Sequence, residues 1–258
     1  MSKILLIGTS PISLINFRKE LIKSLIVNGH QVIVMVSKFT STEVENIKNL
    51  GVEYIDYSVE RNSLNPLADL KTLLNFIKVF TSENPGIVLA YTIKPVVWGG
   101  LASRLFKFNF YALITGLGFA FQGDSFKRKF LTKLVVFLYK AALKKSKAVI
   151  FQNTDNRDVF VSKGIVELSK THVVNGSGVD LEKYNVETLP RGGIKFLCLS
   201  RLLGEKGLRE YAQAAKIVKN KFPDVEFNLI GPEDSSPDAI LLNEVDAWSD
   251  YINYKGST

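Results

Sequence analysis

Two cations, Arg201 and Lys206, follow a short apolar stretch and precede a helical pattern, within LSRLLGEKGLREYAQAA at residues 199–215. Open α/β sheets bind ligands in turns of this kind, where a strand ends and a helix begins. A guanidinium and an ammonium near a helix N-terminus can converge on one anion. The alternative is a surface pair balanced by Glu205 and Glu210, and from the residues alone the two interpretations have equal weight.

A second concentration of charge lies in SFKRKFLTKLVVFLYKAALKKSK, residues 125–147, which contain eight lysines and arginines and no acidic residue. Its apolar residues recur at three-and-four spacing, which predicts a basic amphipathic helix. By frequency alone, such a helix packs on the core and exposes its basic face. The second interpretation is that the helix lies on an anionic membrane surface, where each cation contributes about 1 kcal/mol to binding. The cations expected there are Lys127, Arg128, Lys129 and Lys133. Nucleic acid ranks third and is not expected as a partner, because the aromatic residues are not interleaved as stacking platforms.

Composition narrows the class of protein. The 258 residues, 46% hydrophobic and 22% charged, fit a globular chain longer than one average domain. The single cysteine, Cys198, excludes an intrachain disulfide and favours a reducing cytoplasm.

The N-terminal MSKILLIGTS is predicted as a strand rather than a signal peptide. No apolar stretch approaches the roughly 20 residues of a spanning helix, so a soluble or peripheral protein is expected. Two distant histidines and one cysteine predict no metal site.

Apolar runs alternate with helical segments in residues 1–180, which predicts an α/β domain with a parallel sheet. The runs are KILLIG (3–8), QVIVMV (31–36), VEYIDY (52–57), GIVLAY (86–91), FYALIT (110–115) and AVIFQ (148–152). Their hydrophobicity is continuous rather than alternating, which is typical of strands buried on both faces of a sheet.

A second α/β pattern fills residues 194–258, after an expected interdomain linker at residues 181–193. Its predicted strands are IKFLCLS (194–200), VEFNLIG (225–231) and YINYKG (251–256), with helices at about 205–221 and 238–248. Three strands and two helices leave a raw sheet edge, so this second domain is expected to be incomplete.

Seven segments occur in the order found in family 4 glycosyltransferases of the GT-B fold, which the chain therefore resembles. They are LINFRKELIKSLIVNGHQVIV, YTIKPVVWGGLASR, ITGLGFAF, FQNTDNRDVF, NGSGVDLEKY, LSRLLGEKGLREYAQAAKIVK and LIGPEDSSPDAI. The resemblance is greatest to bacterial enzymes that extend lipid-linked sugar chains for capsule, O-antigen or glycoprotein glycans. It implies two Rossmann-like domains, an acceptor-binding one at residues 1–180 and a donor-binding one at 194–258. Arg201 and Lys206 match the family's donor diphosphate site.

The resemblance also assigns several strand-end residues to the cleft that holds the donor or the acceptor. They are Gly8, Ser10, Ser13, Lys94, Gly116, Gly118 and Gly231. Each has a structural alternative: GTSPIS lacks the dinucleotide fingerprint and can be a plain turn, TGLG can be a tight turn, and Lys94 can be a solvated lysine. Pro232 departs from the commoner family pattern, in which a second glycine lies nearby. The family's downstream glutamate pair and a frequent histidine have no counterpart, so no catalytic residue is assigned.

The resemblance implies a retaining, metal-independent glycosyltransferase without a cofactor. It would move a hexose or N-acetylhexosamine from a nucleoside-diphosphate sugar, expected to be UDP-linked, to a hydroxyl of a lipid-linked or polysaccharide acceptor. A cytoplasmic, peripheral position on the anionic inner face of the plasma membrane is expected. Two alternatives stay open. One is a non-catalytic, truncated remnant or accessory chain that needs a complementing polypeptide, and the other is a nucleotide-sugar epimerase.

Overall fold

The computed structural model describes residues 1–37, 39–59, 65–118, 121, 126–189, 191–236 and 238–257. The chain divides into two compact units, unit 1 (Met1–Tyr184) and unit 2 (Asn185–Thr258). The division falls inside residues 181–193, whose function as a linker stays a prediction.

Unit 1 contains a seven-stranded parallel sheet with the strand order β3-β2-β1-β4-β5-β6-β7. The strands are β1 (Lys3–Ile7), β2 (Gln31–Val36), β3 (Glu53–Asp56), β4 (Ile87–Tyr91), β5 (Asn109–Ile114), β6 (Ala148–Phe151) and β7 (Thr171–Val173). Each of the predicted apolar runs overlaps one of the first six strands. The seventh was not predicted, because three residues that include a threonine and a histidine do not form an apolar run.

Helices cover both faces of this sheet. They are α1 (Pro11–Val27), α2 (Ser41–Lys48), α3 (Pro66–Glu83), α4 (Ile93–Ser103), α5 (Phe126–Leu143) and α6 (Thr154–Ser162). Successive residues of β1 point to opposite faces: Leu5 and Ile7 join a core cluster with Phe76, and Leu6 joins another with Leu14. The two clusters explain why the strands are continuously apolar.

The strand order of unit 1 reverses between β1 and β4. Ile7 of β1 pairs with Met35 of β2 on one side and with Ala90 of β4 on the other. In open α/β sheets, the carboxyl ends of the strands at such a switch point form the usual ligand crevice. The loops that follow β1 and β4 therefore contain the first residues to consider for a site.

Unit 2 contains a three-stranded parallel sheet with the order β10-β9-β8. Its elements are β8 (Lys195–Leu199), α7 (Leu208–Lys221), β9 (Glu226–Ile230), α8 (Leu242–Asp246) and β10 (Asn253–Tyr254). Leu208 and Ala212 of α7 pack with Phe227, Leu229 and Trp248 in one core cluster. The three predicted strands are confirmed as elements.

Both predicted helices of unit 2 begin later than expected. Residues Gly204–Lys206 form a 3-10 turn, and Gly207 has a left-handed φ of 71°, so α7 begins at Leu208. The prediction that a helix begins at about Asp238 was wrong. The Gly204 amide donates to the Asp238 carbonyl (2.9 Å) and the Ile240 amide donates to the Leu202 carbonyl (2.9 Å). These long-range hydrogen bonds compete with helix formation, and α8 starts only at Leu242.

Candidate functional site

The loop after β1 contains the predicted residues Gly8, Ser10 and Ser13. The Ser10 hydroxyl caps α1 by accepting a hydrogen bond from the Ser13 amide (3.4 Å). A Cβ on Gly8 would overlap the hydroxyl end of Tyr91. The Gly8 carbonyl accepts a hydrogen bond from the Tyr57 hydroxyl (2.6 Å). All three residues thus lie at the switch point, and each has a structural function there.

The loop after β4 begins with a strained residue. Thr92 has a φ of 68°, which is a true outlier for a β-branched side chain. Its hydroxyl donates to the Thr9 hydroxyl (3.4 Å), which follows β1. The ends of β1 and β4 are therefore joined directly, and backbone strain of this kind is concentrated at functional sites.

Lys94 lies two residues further on, in the first turn of α4. Its ammonium forms an ion pair with the Asp69 carboxylate of α3 at 2.7 Å, and both side chains are largely buried, with 12% and 16% exposed. A lysine held in this way has a structural partner that the sequence did not reveal. Its predicted contact with an acceptor stays a prediction.

The glycines after β5 differ from each other. Gly118 has a left-handed φ of 72°, and a Cβ there would lie 2.8 Å from the Ile93 side chain. At Gly116, no atom of the described residues lies within 4 Å of the position of a Cβ. Gly118 is therefore required by the turn itself, whereas the described residues place no steric demand on Gly116.

Arg201 of unit 2 lies just beyond the carboxyl end of β8. Its guanidinium forms an ion pair with the Asp234 carboxylate at 2.6 Å and keeps 53% of the side chain exposed. The Ser236 amide donates to the other oxygen of Asp234 (2.8 Å). This backbone hydrogen bond, together with Arg201, lowers the pKa of Asp234 below its ordinary value. The carboxylate is therefore charged at neutral pH and orients the arginine.

Lys206 ends the 3-10 turn that precedes α7. Its ammonium lies 3.7 Å from the Glu205 carboxylate, and 45% of the side chain is exposed. Among the residues that the structure describes, no side chain forms a capping hydrogen bond at the N-terminus of α7. The ion pair between Lys206 and Glu205 thus supports part of the alternative interpretation, in which the two cations are a surface pair balanced by acidic neighbours. Arg201, however, pairs with Asp234, a partner 33 residues away that the sequence analysis missed.

Gly231 follows β9 at a point of very close backbone approach. A Cβ at this position would overlap the carbonyl group of Ser200 at the end of β8. The Gly231 carbonyl accepts a hydrogen bond from the Tyr254 hydroxyl (2.8 Å). The packing of the β8 and β9 ends therefore requires a glycine here, whatever its contact with a ligand.

The apolar residues of the basic helix α5 divide between the core and the surface. Tyr139, Ala142 and Leu143 are buried in the unit 1 core. The residues Phe130, Leu134 and Phe137 are exposed by 68%, 44% and 66%. They form an outer apolar stripe that continues the spacing of one helical face.

The predicted membrane-surface cations surround this stripe in part. Lys129 and Lys133 are exposed, whereas the side chains of Lys127 and Arg128 lie outside the described residues. A depression of about 360 Å³ lies beside Phe137, lined also by Thr132, Lys133, Val136, Lys140 and Lys163. Among the helices that the structure describes, none is long and apolar enough to cross a membrane.

In the described parts of the chain, no three histidine, cysteine, aspartate or glutamate side chains are grouped so that they could hold a metal ion.

The architecture places the chain in the GT-B fold class. A crystal structure of HepE from Anabaena in complex with UDP-glucose matches all of this chain and 70% of its own, with a TM-score of 0.69 and 16% identity. The chain belongs to the glycosyl transferase 4-like family, whose sequence profile matches residues 3–153. The predicted fold class and family are therefore confirmed.

Two relatives have known activities. An N,N'-diacetylbacillosaminyl-diphospho-undecaprenol alpha-1,3-N-acetylgalactosaminyltransferase of Campylobacter jejuni is 27% identical over 95% of this chain and 67% of its own length. A UDP-Gal:alpha-D-GlcNAc-diphosphoundecaprenol alpha-1,3-galactosyltransferase of Escherichia coli is 26% identical over 75% of this chain and 52% of its own. The chain thus spans about two thirds of one relative and about half of the other.

Proposed function

We propose that this chain transfers a hexose or N-acetylhexosamine from a UDP-linked sugar to a hydroxyl group of a lipid-linked acceptor. The acceptor would belong to a surface glycan such as capsule or O-antigen. Family membership supports the reaction class, and both relatives named above act on undecaprenol-diphosphate-linked sugars. In this reaction the glycosidic bond to the diphosphate breaks, and a nucleoside diphosphate with additional negative charge departs.

The observation that carries the proposal is the position of Arg201. Its half-exposed guanidinium follows β8, where a sheet of this class presents residues to a ligand. Lys206 adds a second exposed cation in the turn before the uncapped N-terminus of α7. Fixed positive charge stabilises a departing diphosphate more than it stabilises the intact donor, which is the requirement for catalysis.

Asp234 gives Arg201 a defined direction in this proposal. Its carboxylate remains ionised at neutral pH, because the Ser236 amide and Arg201 lower its pKa. The Arg201 guanidinium has five N–H donors, so it can keep the 2.6 Å contact with Asp234 and still donate to a diphosphate. Asp234 is a positioning residue for the donor site.

A transfer assay with the purified chain tests the proposal. A panel of UDP-sugars is mixed with a polyprenyl-diphosphate-linked sugar, and the lipid and nucleotide products are analysed separately. We expect UDP release coupled to an acceptor longer by one sugar. An altered sugar stereocentre on intact nucleotide would instead identify an epimerase.

The second candidate function is an accessory chain that requires a complementing polypeptide. The observation that favours it is β8, an edge strand of the unit 2 sheet, where Leu197 and Leu199 lie on one face of the sheet and are exposed by 62% and 71%. An exposed apolar surface beside an unpaired strand edge is suited to cover by further polypeptide. Sugar transfer by this chain alone would exclude that candidate, and complete absence of transfer with every donor would favour it.

We further propose that α5 docks on the anionic inner face of the plasma membrane. The exposed Phe130, Leu134 and Phe137 would enter the interfacial region, and the exposed Lys129 and Lys133 would contact lipid phosphates. This orientation would bring unit 1 to the surface that carries a lipid-linked acceptor.

A further inference from the structure

Arg18 of α1 is a buried cation in unit 1. Only 5% of the residue is exposed, although it is charged. In the described part of the chain it forms no ion pair. Its Nε is buried and has no hydrogen-bond partner there. Arginines are almost never buried without a carboxylate or another anion beside them.

One of the hydrogen-bond partners of Arg18, Ser177, lies at the protein surface. Its Nη1 donates to the Phe17 carbonyl (2.9 Å) and to the Ser177 hydroxyl oxygen (2.7 Å). The Gln152 amide nitrogen donates to the same hydroxyl oxygen (3.1 Å). Two donors, one of them cationic, thus converge on one neutral oxygen atom.

The energetics of this arrangement favour an anion. The Arg18 guanidinium lies over the Tyr91 ring, with Cζ 5.0 Å from the ring centroid, and this cation–π contact stabilises the buried charge. Burying an unpaired charge costs more than one such contact returns, so the aromatic ring compensates only part of that cost. Burial accordingly lowers the pKa of Arg18, although an arginine still remains charged at neutral pH.

The surroundings lie at the ligand-binding edge of the sheet. Gln152 directly follows β6, and Ser177 comes shortly after β7. Ser177 is exposed and lies between Gly176 and Gly178, whose left-handed φ values are 76° and 70°. A small exposed hydroxyl between two glycines leaves room for an incoming anion to approach Arg18 from solvent.

We propose that Arg18, Gln152 and Ser177 of unit 1 form a binding site for a diphosphate group. A diphosphate oxygen takes the position of the Ser177 hydroxyl oxygen and accepts hydrogen bonds from Arg18 and Gln152. Ser177 then donates its own hydroxyl proton to a neighbouring diphosphate oxygen. The choice of a diphosphate as the ligand rests on the proposed function, because that reaction offers a diphosphate on both its donor and its acceptor.

A carboxylate introduced at position 177 tests the charge balance without changing Arg18. Ser177→Asp places a carboxylate beside the guanidinium, and Ser177→Asn is the neutral control of the same size. We expect Ser177→Asp to have a higher Tm than Ser177→Asn and at least tenfold weaker binding of inorganic pyrophosphate. Equal Tm values and equal pyrophosphate affinities for the two variants would overturn the proposal.

Calorimetry with inorganic pyrophosphate tests the site directly. The Arg201→Ala, Lys206→Ala double variant is the background, because it removes the proposed donor cations. We expect this background to bind pyrophosphate, Arg18→Gln to weaken the binding at least tenfold, and Lys19→Gln, an exposed neighbour on α1, to leave it unchanged. No binding in the background, or equal loss with Lys19→Gln, would refute the site even if Arg18→Gln folds poorly.

Steady-state kinetics then distinguish the two sources of diphosphate. If the acceptor supplies the group, Ser177→Asp raises the acceptor KM at least tenfold relative to Ser177→Asn and leaves the donor KM unchanged. If the donor supplies it, the effect is reversed. Unchanged values of both KM would overturn the site's place in the reaction. A wild-type chain without transfer activity would contradict the proposed function alone, since the pyrophosphate measurements stand independently of it.

Discussion

At the residue scale, Arg18 and Arg201 show what a sequence reveals about a cation and what it does not. Arg201 could be predicted because its neighbours in sequence already place it after a strand and before a helix. The importance of Arg18 depends on Ser177, 159 residues away, and on burial that only the folded chain creates. For the same reason the sequence did not reveal Asp234 as the partner of Arg201.

Gly231 and Gly116, two predicted cleft glycines, should respond differently to substitution by alanine. Gly231→Ala would force a methyl group into the Ser200 carbonyl, and we expect it to lower the free energy of unfolding by about 1–3 kcal/mol. Gly116→Ala has open space and should change it by less than about 0.5 kcal/mol. Urea unfolding of both variants checks this, and equal stabilities would contradict the close approach.

At the element scale, periodicity identified α5 but not the face that it buries. The three-and-four spacing is satisfied both by Tyr139, Ala142 and Leu143 and by the outer stripe that begins at Phe130. Tertiary packing chooses between two such faces, and a single sequence does not contain that choice. The ends of elements were also hard to predict from the sequence. Helix α8, for example, is shortened by hydrogen bonds to the distant turn at residues 202–204.

Vesicle binding tests the outer stripe of α5. We expect Phe130→Ser with Phe137→Ser to weaken binding to vesicles containing anionic phospholipid at least tenfold, because two exposed aromatic side chains no longer enter the bilayer. Phe222→Ser is the control, since Phe222 is 62% exposed but lies in unit 2. Equal binding of all variants in a sedimentation assay would leave only the core-packing interpretation.

The cations of α5 give a separate, salt-dependent prediction. Replacing Lys127, Arg128, Lys129 and Lys133 with glutamine should weaken binding to anionic vesicles by about tenfold or more, because each cation contributes about 1 kcal/mol near such a surface. The loss should be largest at low salt and small on neutral vesicles. Binding that is indifferent to both the substitutions and the salt would contradict an electrostatic attachment.

At the scale of the whole molecule, the order of the elements was predictable and the compensation of charge was not. The apolar runs define a parallel α/β chain with two patterned regions, since strands buried on both faces must be continuously apolar. The ion pairs that link separate elements of unit 2 join residues distant in sequence. The pairs are Lys195–Glu226, Arg201–Asp234 and Arg209–Glu244.

Unit 2 should lose stability at acidic pH. The Arg209 guanidinium holds the pKa of Glu244 below its ordinary 4.5, so ionised Glu244 stabilises the fold above that pH. The contribution is lost as pH falls from about 4.5 toward the lowered pKa. We expect Glu244→Gln to weaken the pH dependence of stability below pH 5, and Lys216→Gln, at an exposed lysine of α7, to leave it as in wild type. Urea unfolding followed by Trp248 fluorescence in a Trp98→Phe background reports on unit 2, and identical profiles would refute the prediction.

Calorimetric titration of UDP into the purified chain tests the central claim, a diphosphate site at Arg201 and Lys206. The comparison is with the Arg201→Ala, Lys206→Ala variant and with a control, Lys216→Ala with Lys221→Ala, that removes two exposed lysines of α7. We predict micromolar binding by wild type and control, and at least tenfold weaker binding by the Arg201, Lys206 variant, because hydrogen bonds to charged groups are lost. Equal binding by all three proteins, or none by the wild type, would contradict the site.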